Sequence, residues 1–446
     1  MSYEIINSDC LRAMQEMPDG CVDAIVTDPP YGLAFMGANW DHNVPSVAYW
    51  SECLRVAKPG AHLLCFGGTR TFHRLMCAIE DAGWEIRDTI MWVYGSGFPK
   101  SMDVGKAIDK ALGAKREKVR VPADKVRNPK SINGGHGIEG GDRPWMKKAM
   151  EVGYHEMDGN TPAPDQAKEW DGWGTCLKPA WEPIIVARKP LDGTVAHNVL
   201  TYGVGALNID ACRVPTHSGG PGTTPESSVD GRRGSMAGAM DRVAYDGSKG
   251  RFPANLVHDG SQMVLDLFPQ SKGQQGDVTG NEPSHPADGV CYGEYNGRHA
   301  FAKRGDTGSA ARFFNELRDG EESANRTYTD RGGTNFAAKP GKRREPTSAD
   351  RFFYCAKASK ADRGDGNDHP TVKPNALMRW LVRLVCPQGG IVLDPFMGSG
   401  STGVACMQEG MEFVGIDMDE HYCEIAEKRI GAEPDTMFVG AIWASM

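Results

Sequence analysis

Residues 25–35 read IVTDPPYGLAF. The stretch that leads into them, Val22–Thr27, is an almost unbroken apolar run, which suits a strand covered on both faces rather than on one. Two consecutive prolines then remove two backbone donors and fix φ, so neither strand nor helix continues past Asp28. A chain carrying such a run needs a sheet with helices on both sides. It must also end that strand abruptly on a carboxylate and an aromatic ring.

The same alternation recurs at both ends of the chain. In residues 1–95 the pattern predicts strands over Tyr3–Asn7, His62–Phe66 and Glu85–Tyr94. It predicts helices over Asp9–Met17, with Asp9 as N-cap, over Ser46–Ala57, stopped by Lys58-Pro59-Gly60, and over Arg70–Gly83. In residues 366–446 it predicts helices over Asn375–Val385, Ser401–Glu409 and Asp419–Ile430, with strands over Gly389–Phe396 and Glu412–Asp417. Strands alternating with helices imply parallel pairing through right-handed crossovers. Residues 96–365 differ: Gly, Pro, Asn, Asp and charge dominate, interrupted by KPAWEPIIVARKPL, where a strand is expected near 181–188. The expected architecture is therefore one doubly wound α/β domain assembled from residues 1–95 and 366–446. Residues 96–365 are inserted between the halves and send one strand back to the sheet.

Composition narrows the function classes. At 446 residues with 40% hydrophobic side chains the chain can bury a large core. It has no run of about 18 apolar residues to span a membrane, and no leader-like start. The twelve cysteines stand singly without a C-x-x-C pair, which argues against a zinc site or disulfide framework and fits reduced thiols in a cytoplasm. A net charge of −8 is unusual for a nucleic-acid binder. However, residues 101–150 hold twelve Lys and Arg against six Asp and Glu, and residues 301–363 hold fourteen against nine. A local basic surface on an acidic protein is the alternative to a merely solvated face.

Four segments carry chemistry. IVLDPFMGSGSTG, residues 391–403, reads as strand, glycine-rich turn and helix. Glycines there permit close approach of a ligand, and a helix N-terminus offers N–H groups to an anion. No Lys follows as a P-loop requires, although Gly398, Gly400 and Gly403 have G-x-G-x-x-G spacing. Alone, this is also the pattern of an ordinary turn. The next strand ends in FVGIDMD, where Asp417 is placed to accept from ribose hydroxyls and Asp419 to cap a helix. DPPYG ends its strand at a sheet's carboxyl edge, where open α/β sheets bind ligands. An acceptor, Asp28, beside a stacking surface, Tyr31, suits a planar ring bearing an amino group; a rigid Asp-capped turn is the plainer alternative. HPTVKP, residues 369–374, sets Thr371 and Lys373 near a helix start, suited to a carboxylate or simply to a Pro-rich helix entry.

D-P-P-Y-G, H-P-T-x-K-P and D-P-F-x-G-S-G-S-T, in that order, resemble the β group of S-adenosylmethionine-dependent DNA amino-methyltransferases, which includes orphan and phage-borne enzymes. The resemblance covers residues 1–95 and 366–432, and GALNIDACRV, RFPANLVHD and RFFYCAKASKADR also look like phage and prophage members. It implies a Rossmann-like methyltransferase sheet with circularly permuted motif order and an inserted target-recognition region. It assigns Asp28, Pro29, Pro30 and Tyr31 to the catalytic loop. It assigns Asp394, Phe396, Gly398, Gly400, Ser401 and Thr402 to the cofactor lining and Asp417 to the cofactor ribose. Asp9 falls at the adenine edge, and Thr371 and Lys373 at the methionine end. It further implies double-stranded DNA as partner, a flipped-out base, a homodimer, a restriction-modification setting, a bacterial or phage-encoded cytoplasmic protein, and no metal. Asp before P-P-Y favours N6 of adenine over N4 of cytosine. The same loop chemistry serves RNA and protein amides, and a catalytically silent DNA-binding factor is a third class.

FGGTR, residues 66–70, and GSGFPKS, residues 95–101, follow strands at the same sheet edge and are candidates to line the base pocket. Arg70 and Lys100 are read there as phosphate contacts or solvent-facing cations. Trp40 reads as structural, and His136 and His155 as loop histidines without ligand spacing.

Overall fold

The computed structural model describes residues 2–33, 41–95, 97, 101–122, 151–159, 161–214, 250–272, 307–317, 358 and 360–433. The chain forms two compact units. The first takes residues 1–95, 181–326 and 358–446, and the second takes 96–180 and 327–357.

The strands are β1 (Tyr3–Asn7), β2 (Val22–Thr27), β3 (Ala57–Phe66), β4 (Glu85–Val93), β5 (Lys118–Pro122), β6 (Tyr154–Asp158), β7 (Trp181–Arg188), β8 (Leu256–His258), β9 (Gln270–Lys272), β10 (Thr307–Ser309), β11 (Asn315–Glu316), β12 (Ile391–Asp394) and β13 (Glu412–Asp417). Nine of them form one sheet in the order β1-β13-β12-β2-β3-β7-β4-β8-β11. The two ends of the chain meet in it: β1 pairs with β13 from Tyr3↔Phe413 to Asn7↔Asp417, and β12 pairs with β2. All neighbours are parallel except at β7, which is antiparallel to both β3 and β4. This one reversed strand puts its first residues at the edge where the others end. No helix among the described residues is long and apolar enough to cross a membrane.

The apolar run of β2 explains itself in the packing. Ala24 and Val26 enter one core cluster, with the helices Asn375–Val385 and Ser401–Glu409. Val22 and Ile25 enter the other, with the helices Cys10–Glu16, Val47–Val56 and Phe72–Asp81. Both faces are covered, so no polar alternation survives. Asp23 is the exception within the run. It is buried and accepts from Lys58 Nζ at 2.5 Å and from the Ile391 backbone at 2.9 Å.

Most predicted helices and strands fall where expected, with Asn375–Val385, Ser401–Glu409 and Glu412–Asp417 matching at both ends. One differs: β3 begins at Ala57, not at His62. Lys58-Pro59-Gly60 does not separate helix from strand but forms a bulge, since Val22 pairs with Ala57 and Ala24 with His62. Gly60 has φ +77°, and a Cβ there would lie 2.3 Å from Asn198 Nδ2. The turn therefore needs glycine both for its backbone and for its close contact.

The second unit contains the helix Val104–Ala111, the antiparallel hairpin β5–β6, which carries His155, and the short helix Asp165–Glu169. A buried pair, Arg116 with Asp109, anchors it, and Trp170 and Trp173 meet edge-on at 5.0 Å.

Candidate active site

The carboxyl edge of the sheet collects the segments singled out above. Asp28 follows β2, Gly67 and Gly68 follow β3, Pro395 follows β12, Asp417 ends β13 and Asp9 follows β1. The acid–aromatic loop is rigid. Asp41, itself buried, accepts from the backbone N–H groups of Gly32 at 2.8 Å and Leu33 at 3.2 Å. Pro29 is buried and Pro30 half-buried. The Tyr31 hydroxyl donates to Asp28 Oδ1 at 2.7 Å, and its ring rests on Gly68, where a Cβ would lie 3.1 Å from it. FGGTR thus lines this site through Gly68, while Arg70 is exposed. Burial, followed by the Asp28 carboxylate, pushes the Tyr31 phenol well above its ordinary range, so it remains a donor.

Lys373 lies in this cluster. Its ammonium donates to Asp28 Oδ2 at 2.5 Å and to the Tyr31 hydroxyl at 3.3 Å, and sits 3.6 Å from Glu182 Oε2. It also lies over the rings of Phe66, at 4.7 Å, and Tyr31, at 5.5 Å. Its carboxylate partners in this structure are the side chains of Asp28 and Glu182. Thr371 is half-buried nearby, its N–H donating to His369 Nδ1 at 3.3 Å.

The glycine-rich turn is built as a cradle. Gly398 and Gly400 have φ +53° and +78°, and a Cβ on Gly398 would lie 2.8 Å from His369 Nε2. A Cβ on Gly403 would meet Ile430 Cδ1 at 2.3 Å, so this third glycine serves close packing of the helix. The helix Ser401–Glu409 starts without a side-chain cap or an acid in its first turn, which leaves its N–H groups to a ligand. Asp417 accepts from Gly398 N–H at 2.8 Å and Asp419 N–H at 2.9 Å. A carboxylate so oriented retains lone pairs for hydroxyls. Met418 beside it is 70% exposed, an apolar side chain left facing outward at the end of β13.

Other expected lining residues make hydrogen bonds or ring contacts around the turn. Asp394 is buried and accepts from Thr27 Oγ1 and Thr402 Oγ1, both at 2.6 Å, and from Phe396 N–H at 3.1 Å. Burial pushes its carboxyl up to about 6, against the pull of those hydroxyl donors. Thr402 is equally buried. Phe396 packs 6.1 Å from Tyr49 and 6.4 Å from Trp50. Asp9 caps its helix, accepting from Arg12 N–H at 3.0 Å, and Asp419 likewise from His421 N–H. Trp40, Lys100 and His136 lie outside the described residues.

Two contributors were not among the expected site residues. Glu182 stands at the start of β7, within the strand expected near 181–188, and a single acid at a strand end carries no sequence signal. His369 belongs to HPTVKP, and its packing on Gly398 could be read only from three dimensions. Burial lowers its imidazole to about 4, so it is neutral near pH 7. The loop is held by Asn367 Nδ2 donating to Ser399 Oγ at 3.1 Å and by Arg429, which donates to the Ser399 carbonyl and to Asp362 O. Among the described residues, no group of three or more His, Cys, Asp or Glu side chains is arranged to hold a metal ion.

These features define an α/β protein with one ligand edge, where a rigid acid–aromatic clamp stands beside a glycine-rich cofactor-type turn. Residues 22–428 match the N6_N4_Mtase family, described as DNA methylase, and the chain belongs to that family. It is 44% identical over 68 residues to the type II methyltransferase M2.DpnII of Streptococcus pneumoniae, covering 15% of this chain and 25% of that protein. It is 32% identical over 95 residues to the type II methyltransferase M.ScaI of Streptomyces caespitosus, covering 21% and 31%. The chain thus spans only about a quarter to a third of the length of these curated relatives. Among solved structures, the M1.HpyAVI–SAM complex aligns over 96% of this chain and 98% of that one, at 14% identity and TM-score 0.36. PvuII DNA methyltransferase, cytosine-N4-specific, aligns over 100% and 92%, at 11% and 0.38.

Proposed function

We propose that the chain transfers a methyl group from S-adenosylmethionine to N6 of an adenine flipped out of duplex DNA. The observation that carries this reading is the Asp28–Tyr31 clamp, an oriented acceptor and an aromatic face at the sheet edge beside the glycine-rich turn. Membership of the DNA methylase family supports the substrate class.

The cofactor fits the residues present. Asp417 would take the ribose, Met418 would cover an apolar ring, and the uncapped helix start with Gly398 and Gly400 would receive the methionine portion. When bound, S-adenosylmethionine supplies an electrophilic methyl group on a sulfonium sulfur that keeps the C–S electron pair. The protein supplies alignment and charge. An adenine inside a duplex cannot present its amino group in line with that methyl, so it leaves the stack. Tyr31 then receives the ring face, a contact of the kind worth about 1–3 kcal/mol per base. The exocyclic nitrogen is a poor nucleophile because its lone pair is delocalised into the ring. Asp28 and the Pro29 carbonyl accept its two N–H bonds and draw it toward tetrahedral geometry, freeing the lone pair for attack. Asp28 Oδ1 already holds the Tyr31 hydroxyl, and its second lone pair is available to the amino group. One N–H proton leaves after transfer, so a strong general base is not needed.

Adenine and cytosine present the same amino-plus-ring-nitrogen edge, and the preference for adenine rests on Asp rather than Ser before P-P-Y. We extend the reading to a homodimer in a bacterial or phage restriction-modification setting, which rests on the same resemblance. Labelled cofactor, plasmid DNA and nucleoside analysis test the function. Recovery of N4-methylcytosine alone would overturn the adenine assignment, and a preference for RNA over duplex DNA would overturn the substrate.

A further inference from the structure

We propose that Arg70 and Arg74, at the start of the helix Phe72–Asp81, bind the phosphate backbone of the DNA strand that carries the target base. The inference deepens the function proposed above and rests on it. Thr71 is the N-cap of this helix and Arg74 its third residue. A helix start carries partial positive charge, so it favours acids and disfavours cations. This one has no acid in its first turn and is surrounded by Arg70, His73 and Arg74, all exposed. Among the described residues, none of the three makes an ion pair or a side-chain hydrogen bond. Thr at an N-cap pairs favourably with Glu at the third helical position, and here Arg74 stands in that place. The Thr71 hydroxyl makes no cap bond either; it is enclosed and has no hydrogen-bond partner among the described residues. Such a cluster opposes its own helix, and a bound anion offsets that cost.

The position of the cluster makes that anion a DNA phosphate. A Cβ on Gly68 would lie 3.1 Å from the Tyr31 ring and 3.2 Å from Thr71 Oγ1, so one glycine separates the helix start from the ring that receives the base. An extruded base stays joined to the phosphates on either side of its sugar, and these must pass beside that ring. Guanidinium groups stay charged and match phosphate oxygens with paired donors. The helix start is also held in place. Gly67 N–H donates to the Pro183 carbonyl at 3.0 Å, and a Cβ on Gly67 would lie 2.8 Å from Phe72 Cβ. The Phe72 ring meets that of Trp181 edge-on at 6.2 Å, and Leu75 and Ile79 are buried in the core. On a chain of net charge −8, unpaired cations at this edge also favour encounter with DNA.

The test measures binding of the full-length protein to a labelled DNA duplex by anisotropy between about 50 and 200 mM salt. Thermal midpoints and calorimetry with S-adenosylmethionine accompany it. Arg70→Gln and Arg74→Gln should each weaken binding several-fold at the low-salt end and flatten the slope of log affinity against log salt by about 0.9. The fall in affinity across that range then shrinks roughly three- to fourfold for each arginine removed. Cofactor affinity should be unchanged. Arg74→Glu should weaken DNA binding further and raise the thermal midpoint, because it completes the favourable pairing with Thr71 at the helix start. Lost affinity together with gained stability is a combination that a merely structural role would not give. Wild-type affinity and slope in the double variant Arg70→Gln/Arg74→Gln overturn the proposal, and so does a loss of affinity that tracks a lowered midpoint. A wild type that does not bind duplex DNA, or that prefers RNA, overturns the functional reading and this inference together, and is recognised before any variant is compared.

Discussion

Asp394 offers a quantitative test of how the glycine-rich turn is held. Its carboxylate joins the end of β2, through Thr27, to the helix Ser401–Glu409, through Thr402, and is fully enclosed. Burial raises its folded-state pKa to about 6, from an ordinary value of 3.8. The folded protein therefore binds this proton more tightly than the unfolded chain. By linkage, the group's contribution to stability is fully present below about pH 4 and is lost as pH rises through about 6. The shift of about two pH units corresponds to about 3 kcal/mol in total, of which roughly 1.5 kcal/mol falls between pH 5 and pH 7.5. Asp394→Asn keeps an acceptor and removes the ionisation. Urea unfolding of wild type and variant at the two pH values, followed by tryptophan fluorescence, isolates this group, because other titrations cancel in the difference. The wild type should lose roughly 1.5 kcal/mol relative to the variant on going from pH 5 to pH 7.5. A difference independent of pH, or one that favours the wild type as pH rises, would mean that the hydroxyl donors outweigh burial, and would refute the reasoning.

Other consequences are equally direct. Asp28→Ala should abolish methyl transfer while DNA binding, measured by anisotropy, persists; unchanged transfer would remove this loop from the chemistry. Tyr31→Ala should lose about 1–3 kcal/mol of base stacking, seen as a 5- to 150-fold fall in kcat/KM for DNA. Tyr31→Phe should retain most of that term and lose only the hydroxyl contacts to Asp28 and Lys373. Gly403→Ala should cost about 1–3 kcal/mol in unfolding free energy, since its Cβ would press on Ile430 and Phe413. DNA affinity should fall steeply between 50 and 200 mM salt if Lys and Arg side chains meet the phosphates.

The parts of the fold legible in sequence are those with long periodic signals. The buried runs of β2 and β13 and the amphipathic helix Asn375–Val385 declare themselves through residues that enter the two core clusters. β8 and β11, three and two residues long, extend the sheet, β8 by pairing with β4 and β11 with β8, and carry too few positions for any period. The break at Lys58-Pro59-Gly60 misleads for a local reason: proline and glycine mark a bulge as well as a helix stop, and only the partner strand distinguishes them. In the site, Asp28 and Tyr31 could be singled out because a carboxylate, two prolines and an aromatic ring end a buried apolar run, an arrangement that suits a planar amino-bearing ring as well as a capped turn. Lys373 was visible as a cation near a helix start, suited to a carboxylate, but its partner Asp28 is 345 positions away, beyond local reasoning. Asp394 and Thr402 stand out by motif, yet the bond between them, and those from Thr27 and Phe396 to Asp394, are visible only in the fold. Glu182 was hidden because its place at the carboxyl edge comes from the reversal of β7, a property of topology.

The central claim is that this edge methylates an adenine amino group in DNA. Its most direct measurement is mass spectrometry of nucleosides from unmethylated plasmid incubated with the protein and deuterated-methyl S-adenosylmethionine. The account predicts labelled N6-methyladenine, lost in Asp28→Ala. Labelled N4-methylcytosine in its place would contradict the adenine assignment, and no labelled nucleoside from correctly folded protein would contradict the account as a whole.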